Sequence, residues 1–349
     1  MKSEKPILFL HGGTHKTGTT SIQFFLKTNF EILLSDSILY PFTGRDTILQ
    51  HHYLFSALRK PISSDFPPKK NFKGYIADLK DEILKYNPNK VVLSSEVFFE
   101  SFISDPDNFR EKLNEMFNLF SKVHIILYIR RPDLFGISNN NSMIVNKNRK
   151  EHQLAFTKIF KLIDAFEKEM LIIRPFEKGQ FEDGNLINDF LSILNIEHKE
   201  KYINSDNNHN ASVDIDLVEL FRLINNAHLE LAISSKYKKS ILNAFNSHQK
   251  STKSFFSPQD RLTIINQYAI EFENLARNFL GREDGKFFYD PLPETNDTWE
   301  SYKGLPIDTV VQTFSYLLFR QQEQLNIQAL RISEIEEQLK VLKEKNSSI

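Results

Sequence analysis

An apolar run, a glycine-bounded loop and a helically spaced segment follow one another without a break near the start of this chain. Ile7–Leu10 is a short apolar stretch that ends in Gly12-Gly13, which predicts a buried strand entering a tight turn. Gly13-Thr14-His15-Lys16-Thr17-Gly18-Thr19-Thr20-Ser21 comes next. From Gly18 to about Leu34, the residues Ile22, Phe25, Leu26, Phe30 and Leu33 share one side of a helix. Strand, loop and helix in that order form an anion cradle. Glycines let the backbone turn tightly and present N–H groups, and a helix start adds unsatisfied donors and the positive end of its dipole. Lys16 adds a mobile charge, and the hydroxyls of Thr17, Thr19 and Thr20 add further donors. His15 is expected to shape the cradle.

Three more apolar runs read as buried strands: Val91–Leu93, Val123–Ile129 and Leu171–Ile173. Helical patterns separate them, at about Tyr75–Tyr86, Asn108–Ser121 and Leu134–Phe166. Alternation of this kind predicts an α/β fold with three layers, a mainly parallel central sheet covered on both faces. Pro61–Lys70 reads as an exposed loop and Asn204–Asn210 as a polar break. The expected organisation is one domain over 1–306, with an α/β part over 1–203 and a mostly helical part over 204–306 that closes on the loop Gly285–Pro306. A C-terminal helical region over 307–349 follows. In that tail Leu318, Leu325, Ile332 and Leu339 recur every seven residues, and Gln321, Gln328, Ile335 and Leu342 fill the second position of the same heptads. Two readings stand: a short coiled coil, through which copies of the chain self-associate, or an amphipathic helix packed on its own domain.

Composition removes several classes of function. The net charge of −1 gives no global basic field, which argues against nucleic acid as a partner. The absence of cysteine excludes disulfides, thiolate catalysis and cysteine-held metals. The N-terminal apolar run is too short for a signal-peptide core, and no stretch approaches the ~20 apolar residues of a membrane helix. A cytoplasmic protein is expected, and the richness in Lys, Asn, Ile and Phe points to a bacterial source with an AT-rich genome.

The loop shares the glycine separation of the nucleotide-binding pattern G-x-x-x-x-G-K-[ST], but Thr19 stands where that pattern has Lys. Its lysine lies two residues before the second glycine instead. Lys16-Thr17-Gly18-Thr19-Thr20 after a strand resembles the 5′-phosphosulfate loop of the sulfotransferases that use 3′-phosphoadenosine 5′-phosphosulfate (PAPS). A second motif, Arg130-Arg131-Pro132-Asp133, ends the run Val123–Ile129 and is followed by Ser138. An arginine at a strand end with a serine eight residues on resembles the 3′-phosphate site of the same family, and an arginine fork suits a phosphate. The resemblance implies that His15, Lys16, Thr17, Gly18, Thr19 and Thr20 hold one end of the donor and Arg130 with Ser138 the other. Arg131 is a loose addition. Segments Arg174-Pro175-Phe176-Glu177 and Asn208-His209-Asn210-Ala211-Ser212 also look like stretches of bacterial members, and Lys250–Lys253 falls where such members have a late basic loop.

The expected reaction is transfer of a sulfuryl group to an acceptor hydroxyl or amine, on a small molecule or a glycan. No candidate strand ends in the Asp that commonly holds Mg²⁺ for phosphoryl transfer, so a metal-independent reaction is expected. The resemblance gives Lys16 the charge that develops on the leaving phosphate. A base must take the acceptor proton. Glu96 follows an apolar strand and would face the crevice of Lys16, whereas His51 and His52 lie on an expected helix nearer the acceptor. Position favours Glu96; the ordinary pKa near 6.5 favours a histidine. Two other classes compete with this reading: a P-loop kinase of a small metabolite, and a non-catalytic scaffold that retains the fold.

Overall fold

The computed structural model describes residues 4–13, 16–46, 49–58, 68–104, 106–135, 156–203, 214–226, 240–242, 256–296 and 299–346. Five strands form one sheet: β1 (Ile7–His11), β2 (Ile38–Leu39), β3 (Lys90–Ser94), β4 (Lys122–Ile129) and β5 (Leu171–Pro175). Their order is β2-β3-β1-β4-β5, and every pairing is parallel. β1 is central, with Leu8 beside Val91 on one side and Val123 on the other.

The layers follow from the two-residue period of the strands. Leu8 and Leu10, Val91 and Leu93, and Ile125, Leu127 and Ile129 enter one core. Phe9, Val92, Ile126 and Tyr128 enter a second core on the opposite face. Since both faces of each central strand are apolar, helices must cover both. The first face carries α3 (His52–Ser56), α4 (Phe72–Tyr86), α5 (Val97–Ser104), α6 (Pro106–Phe117) and α7 (Phe156–Asp164). The second carries α1 (Thr19–Thr28), α2 (Phe30–Ser35) and α8 (Leu186–Ile193). Caps mark helix starts where the sequence supplies them: the Asn71 side chain accepts from Gly74 N (2.8 Å) and the Asn185 side chain from Ile187 N (2.8 Å).

Three local differences separate the structure from the sequence expectation. The helix expected from Gly18 to Leu34 breaks at Asn29. The buried Asn29 amide donates to the carbonyls of Phe25 and Ile203 and accepts from Ile203 N at 2.7 Å, so its side chain joins a remote loop to the helix end. β2 has only two residues, too few for a period to register. The third is the short helix α5, which begins directly after Glu96. Only the ends of the long helix expected over 134–166 fall among the described residues, as a helical turn from Pro132 and as α7.

The chain divides into two units. One comprises Met1–Asn139, Lys150–Ala211 and Pro258–Asp297; the other comprises Asn140–Arg149, Ser212–Ser257 and Thr298–Ile349. Residues 258–297, expected in the helical part, thus belong with the sheet. They contribute α10 (Pro258–Asn266), α11 (Ala269–Leu280) and a loop whose Phe287 joins Phe272 and Leu275 in the first core. In the second unit, α9 (Ile215–Asn226) sets Leu217, Leu220 and Phe221 around Ile241, with Leu305 and Leu317 packed against them. That unit also holds α12 (Ile307–Asn346), one uninterrupted helix. No helix of the described residues is long and apolar enough to cross a membrane.

Candidate anion-binding site at the carboxyl edge of the sheet

Because the strands are all parallel, their carboxyl ends open on one edge. From β1 the chain winds through β2 to β3 on one side and then crosses to β4 on the other, and the ends of strands at such a reversal are where open parallel sheets bind ligands. The expected site segments follow these three strands: the loop after β1, Glu96 after β3, and Arg130 after β4.

The loop begins as an extension of the sheet, with Gly12 N donating to Ile126 O at 3.1 Å. A Cβ on Gly13 would run into the Thr19 side chain, so the loop closes on α1 only because that position is bare. Lys16 holds φ 68° and Gly18 φ 71°, both left-handed. Glycine adopts this freely, whereas lysine is strained by roughly 1–2 kcal/mol. Strain of this sort collects at binding sites. Gly18 is the N-cap of α1 and no side chain caps that helix; its carbonyl accepts from Ser21 N and Ile22 N. No capping side chain therefore competes for the first-turn N–H groups of Thr19 and Thr20. Thr17 and Thr19 are buried and Thr20 is exposed.

Thr19 was expected to donate its hydroxyl to a ligand. Here the Thr19 hydroxyl donates to the Glu96 carboxylate, which holds that half-buried carboxylate against the start of α1. Glu96 is positioned from behind as well: Ser95 Oγ accepts from Val97 N at 3.2 Å at the head of α5, and Ser95 N donates to His11 O at 3.1 Å.

The second motif reaches the first. Arg130 Nη1 donates to the Lys16 carbonyl at 3.2 Å, and its guanidinium stands 5.8 Å from the centre of the Phe176 ring. Phe176 and Leu186 also wall the Gly18 side of the loop. Burial pulls the Arg130 pKa down while the Asp133 carboxylate pushes it back up. The arginine at the end of β4 thus reaches the backbone of the loop that follows the adjacent strand β1.

Arg131 does not belong to this site. It is buried, with Nε donating to Asp133 Oδ1 at 2.8 Å and Nη1 to the carbonyls of Asp290 and Pro291 at 3.0 and 2.9 Å. Its donors are committed to the scaffold. Neither is His51 open to an acceptor, contrary to its expected candidacy as a base. The ring is fully buried; Nδ1 accepts from Ser94 N at 3.1 Å and Nε2 donates to Pro41 O at 3.0 Å. Burial, aided by the charge of Arg45, lowers its pKa to about 3. His51 is a neutral strut between Pro41 and the end of β3. His52 is half-buried on the first turn of α3. His15, Ser138, Asn210, Ser212 and Lys250–Lys253 lie outside the described residues.

Sequence reasoning gave no role to His11, Asp133, Phe176 or Leu186. His11 ends β1 fully buried, its Nδ1 paired at 2.9 Å with the Ser94 hydroxyl, which also accepts from Gln23 Nε2 at 3.0 Å. Desolvation lowers its pKa to about 4, against the raising influence of Glu96. The signal available for His11 was its place at the end of the first strand. Phe176 stood inside the segment Arg174–Glu177 with no role of its own, and Leu186 had no signal.

No family profile and no solved structure matches the chain. An uncharacterized protein of Archaeoglobus fulgidus is 24% identical over 206 residues, which cover 56% of this chain and 55% of that protein. The chain therefore spans about half the length of that relative.

Proposed function

We propose that the chain is a sulfotransferase that takes a sulfuryl group from PAPS and delivers it to an acceptor hydroxyl or amine. The observation that carries this reading is the hydrogen bond from Arg130 to the Lys16 carbonyl. It joins two motifs 114 residues apart, each of which resembles one phosphate-binding segment of that family. The residues fit a ligand with separate anionic ends. An uncapped helix start, a left-handed lysine and bare Gly13 and Gly18 make a cradle at one end. At the other end Arg130 supplies a cationic fork resting on an aromatic ring.

Each residue then has a task. Lys16 and the loop N–H groups hold the 5′-phosphate, and Lys16 neutralises the charge left there as the bond from sulfur to the phosphate oxygen breaks. Arg130 holds the 3′-phosphate. Glu96 takes the acceptor proton as the new bond to sulfur forms. Thr19 keeps the Glu96 carboxylate turned toward the loop by donating to one of its oxygens. His51 is locked into the fold, and Glu96, held beside the start of α1 by Thr19, is the base in this reading.

Calorimetric titration with 3′,5′-adenosine bisphosphate tests the donor site. Wild type is expected to bind at micromolar Kd, and Lys16→Ala and Arg130→Ala each to weaken binding by about 10- to 100-fold, the range of a lost charge-assisted hydrogen bond. Glu96→Gln should keep that binding while transfer to any acceptor falls by about 10²- to 10⁴-fold. Binding of ATP with Mg²⁺ in place of the bisphosphate would turn the reading to a kinase.

A further inference from the structure

From Leu318 onward α12 has nothing of its own chain upon it among the described residues. Leu318, Leu325, Ile332, Ile335, Leu339 and Leu342 are each 50% to 65% exposed. They are not scattered: four stand seven residues apart, and Ile335 and Leu342 fall three residues after Ile332 and Leu339. That spacing keeps them on one stripe of the helix, and an aligned apolar stripe of this length marks an association surface. The helix packed on its own domain, the other reading of the tail, holds only for the first turns, where Thr313 is buried and Leu317 meets the α9 cluster.

We propose that residues 318–342 form a parallel, in-register two-stranded coiled coil with a second copy of this chain. The polar members of the stripe select this occupant and this direction. In parallel register each seam residue meets itself. Gln321 meets Gln321 and Gln328 meets Gln328, and two amides can each donate and accept. Overlapped antiparallel over the same stretch, Gln328 faces Ile332 and Gln321 faces Leu339, which leaves four amides buried against hydrocarbon. The flanking charges agree. Parallel pairing puts Arg331 of one copy opposite Glu336 of the other, twice by symmetry, while the remaining flanking pairs, Gln324 with Ala329 and Gln338 with Lys343, carry no like charges. The antiparallel overlap puts Arg331 against Arg331.

The absence of cysteine makes a direct test available. Light scattering on the full chain should give the mass of two chains, falling to one for the double variant Leu325→Glu and Ile335→Glu, whose changed positions are solvent-facing in a single copy. Glu336→Arg alone should weaken the dimer, and adding Arg331→Glu should restore it. In a Leu342→Cys variant, oxidation should cross-link the dimer quantitatively, because parallel pairing sets the sulfurs side by side whereas antiparallel pairing sets them about 36 Å apart. A monomeric wild type, a dimer that survives the double glutamate variant, or a dimer that fails to cross-link at 342 would overturn the proposal. None of these readings depends on donor binding, so the catalytic proposal stands or falls separately.

Discussion

Lys16 shows how one residue carries conflicting demands. Its position needs a left-handed backbone, for which glycine is the low-energy choice, yet it keeps a long cationic side chain. The structure tolerates the strain, which argues that the charge is wanted there. Lys16→Gly should therefore raise stability by about 0.5–1 kcal/mol, the left-handed strain relieved less the added freedom of the unfolded chain. The same change should weaken bisphosphate binding by about 10- to 100-fold, as Lys16→Ala does. Urea unfolding and titration on that variant check both halves, and a loss of stability would mean that the lysine stem packs usefully. The loop and Arg130 were legible from sequence because glycine spacing and a cation at a strand end are local patterns. What Thr19 and Arg131 do was not, because their partners Glu96 and Asp290 lie 77 and 159 residues away.

Among the elements, the turn after β4 shows how the site is held. Asp133 is fully buried and receives Arg131 Nε at 2.8 Å and Arg261 Nη2 at 2.7 Å, so it ties the end of β4 to α10. Burial pushes its carboxyl up, but Arg131 and Arg261 together hold it below the ordinary carboxylate range. The loop 289–290 is fixed in the same region, with the Glu177 carboxylate accepting from Tyr289 N and Asp290 N at 2.7 and 2.8 Å. Asp133→Asn leaves two guanidinium groups without their counter-charge and should destabilise the chain by about 3–5 kcal/mol, the range for breaking a buried ion pair. Thermal unfolding checks this, and a shift of only a degree or two would show that the two arginines find other partners. Arg130 is expected to keep its place only while this support stands.

At the scale of the whole molecule, stability should fall with acid. His11 and His51 are buried and neutral, with pKa values lowered to about 4 and about 3. Unfolding returns them to about 6.5, so between those values the unfolded chain binds more protons and stability rises with pH. Their contribution is complete above about pH 6.5 and is lost as pH falls toward their folded values. Asp133, depressed by its arginines, adds its own loss at lower pH still. The two histidines alone predict a decline of about 4 kcal/mol between pH 7 and pH 5, read as the urea midpoint. A flat profile over that interval would mean that both rings are hydrated, and a decline of half that size that one of them is. The sequence alone determined the alternation of apolar runs and helical periods, and with it an α/β fold and a parallel sheet. It also determined the loop, the cationic strand end and the heptads of α12. These are all properties of neighbouring residues, and periodicity records them. Tertiary structure alone decided the strand order, the break at Asn29 and the return of residues 258–297 to the sheet. It decided too that Thr19 serves Glu96, that Arg131 and His51 serve the scaffold, and that the α12 stripe stays uncovered beyond its first turns. Each of these rests on a hydrogen bond, an ion pair or a packed surface between distant segments, and no local pattern in the chain encodes which distant partner a buried polar group will find.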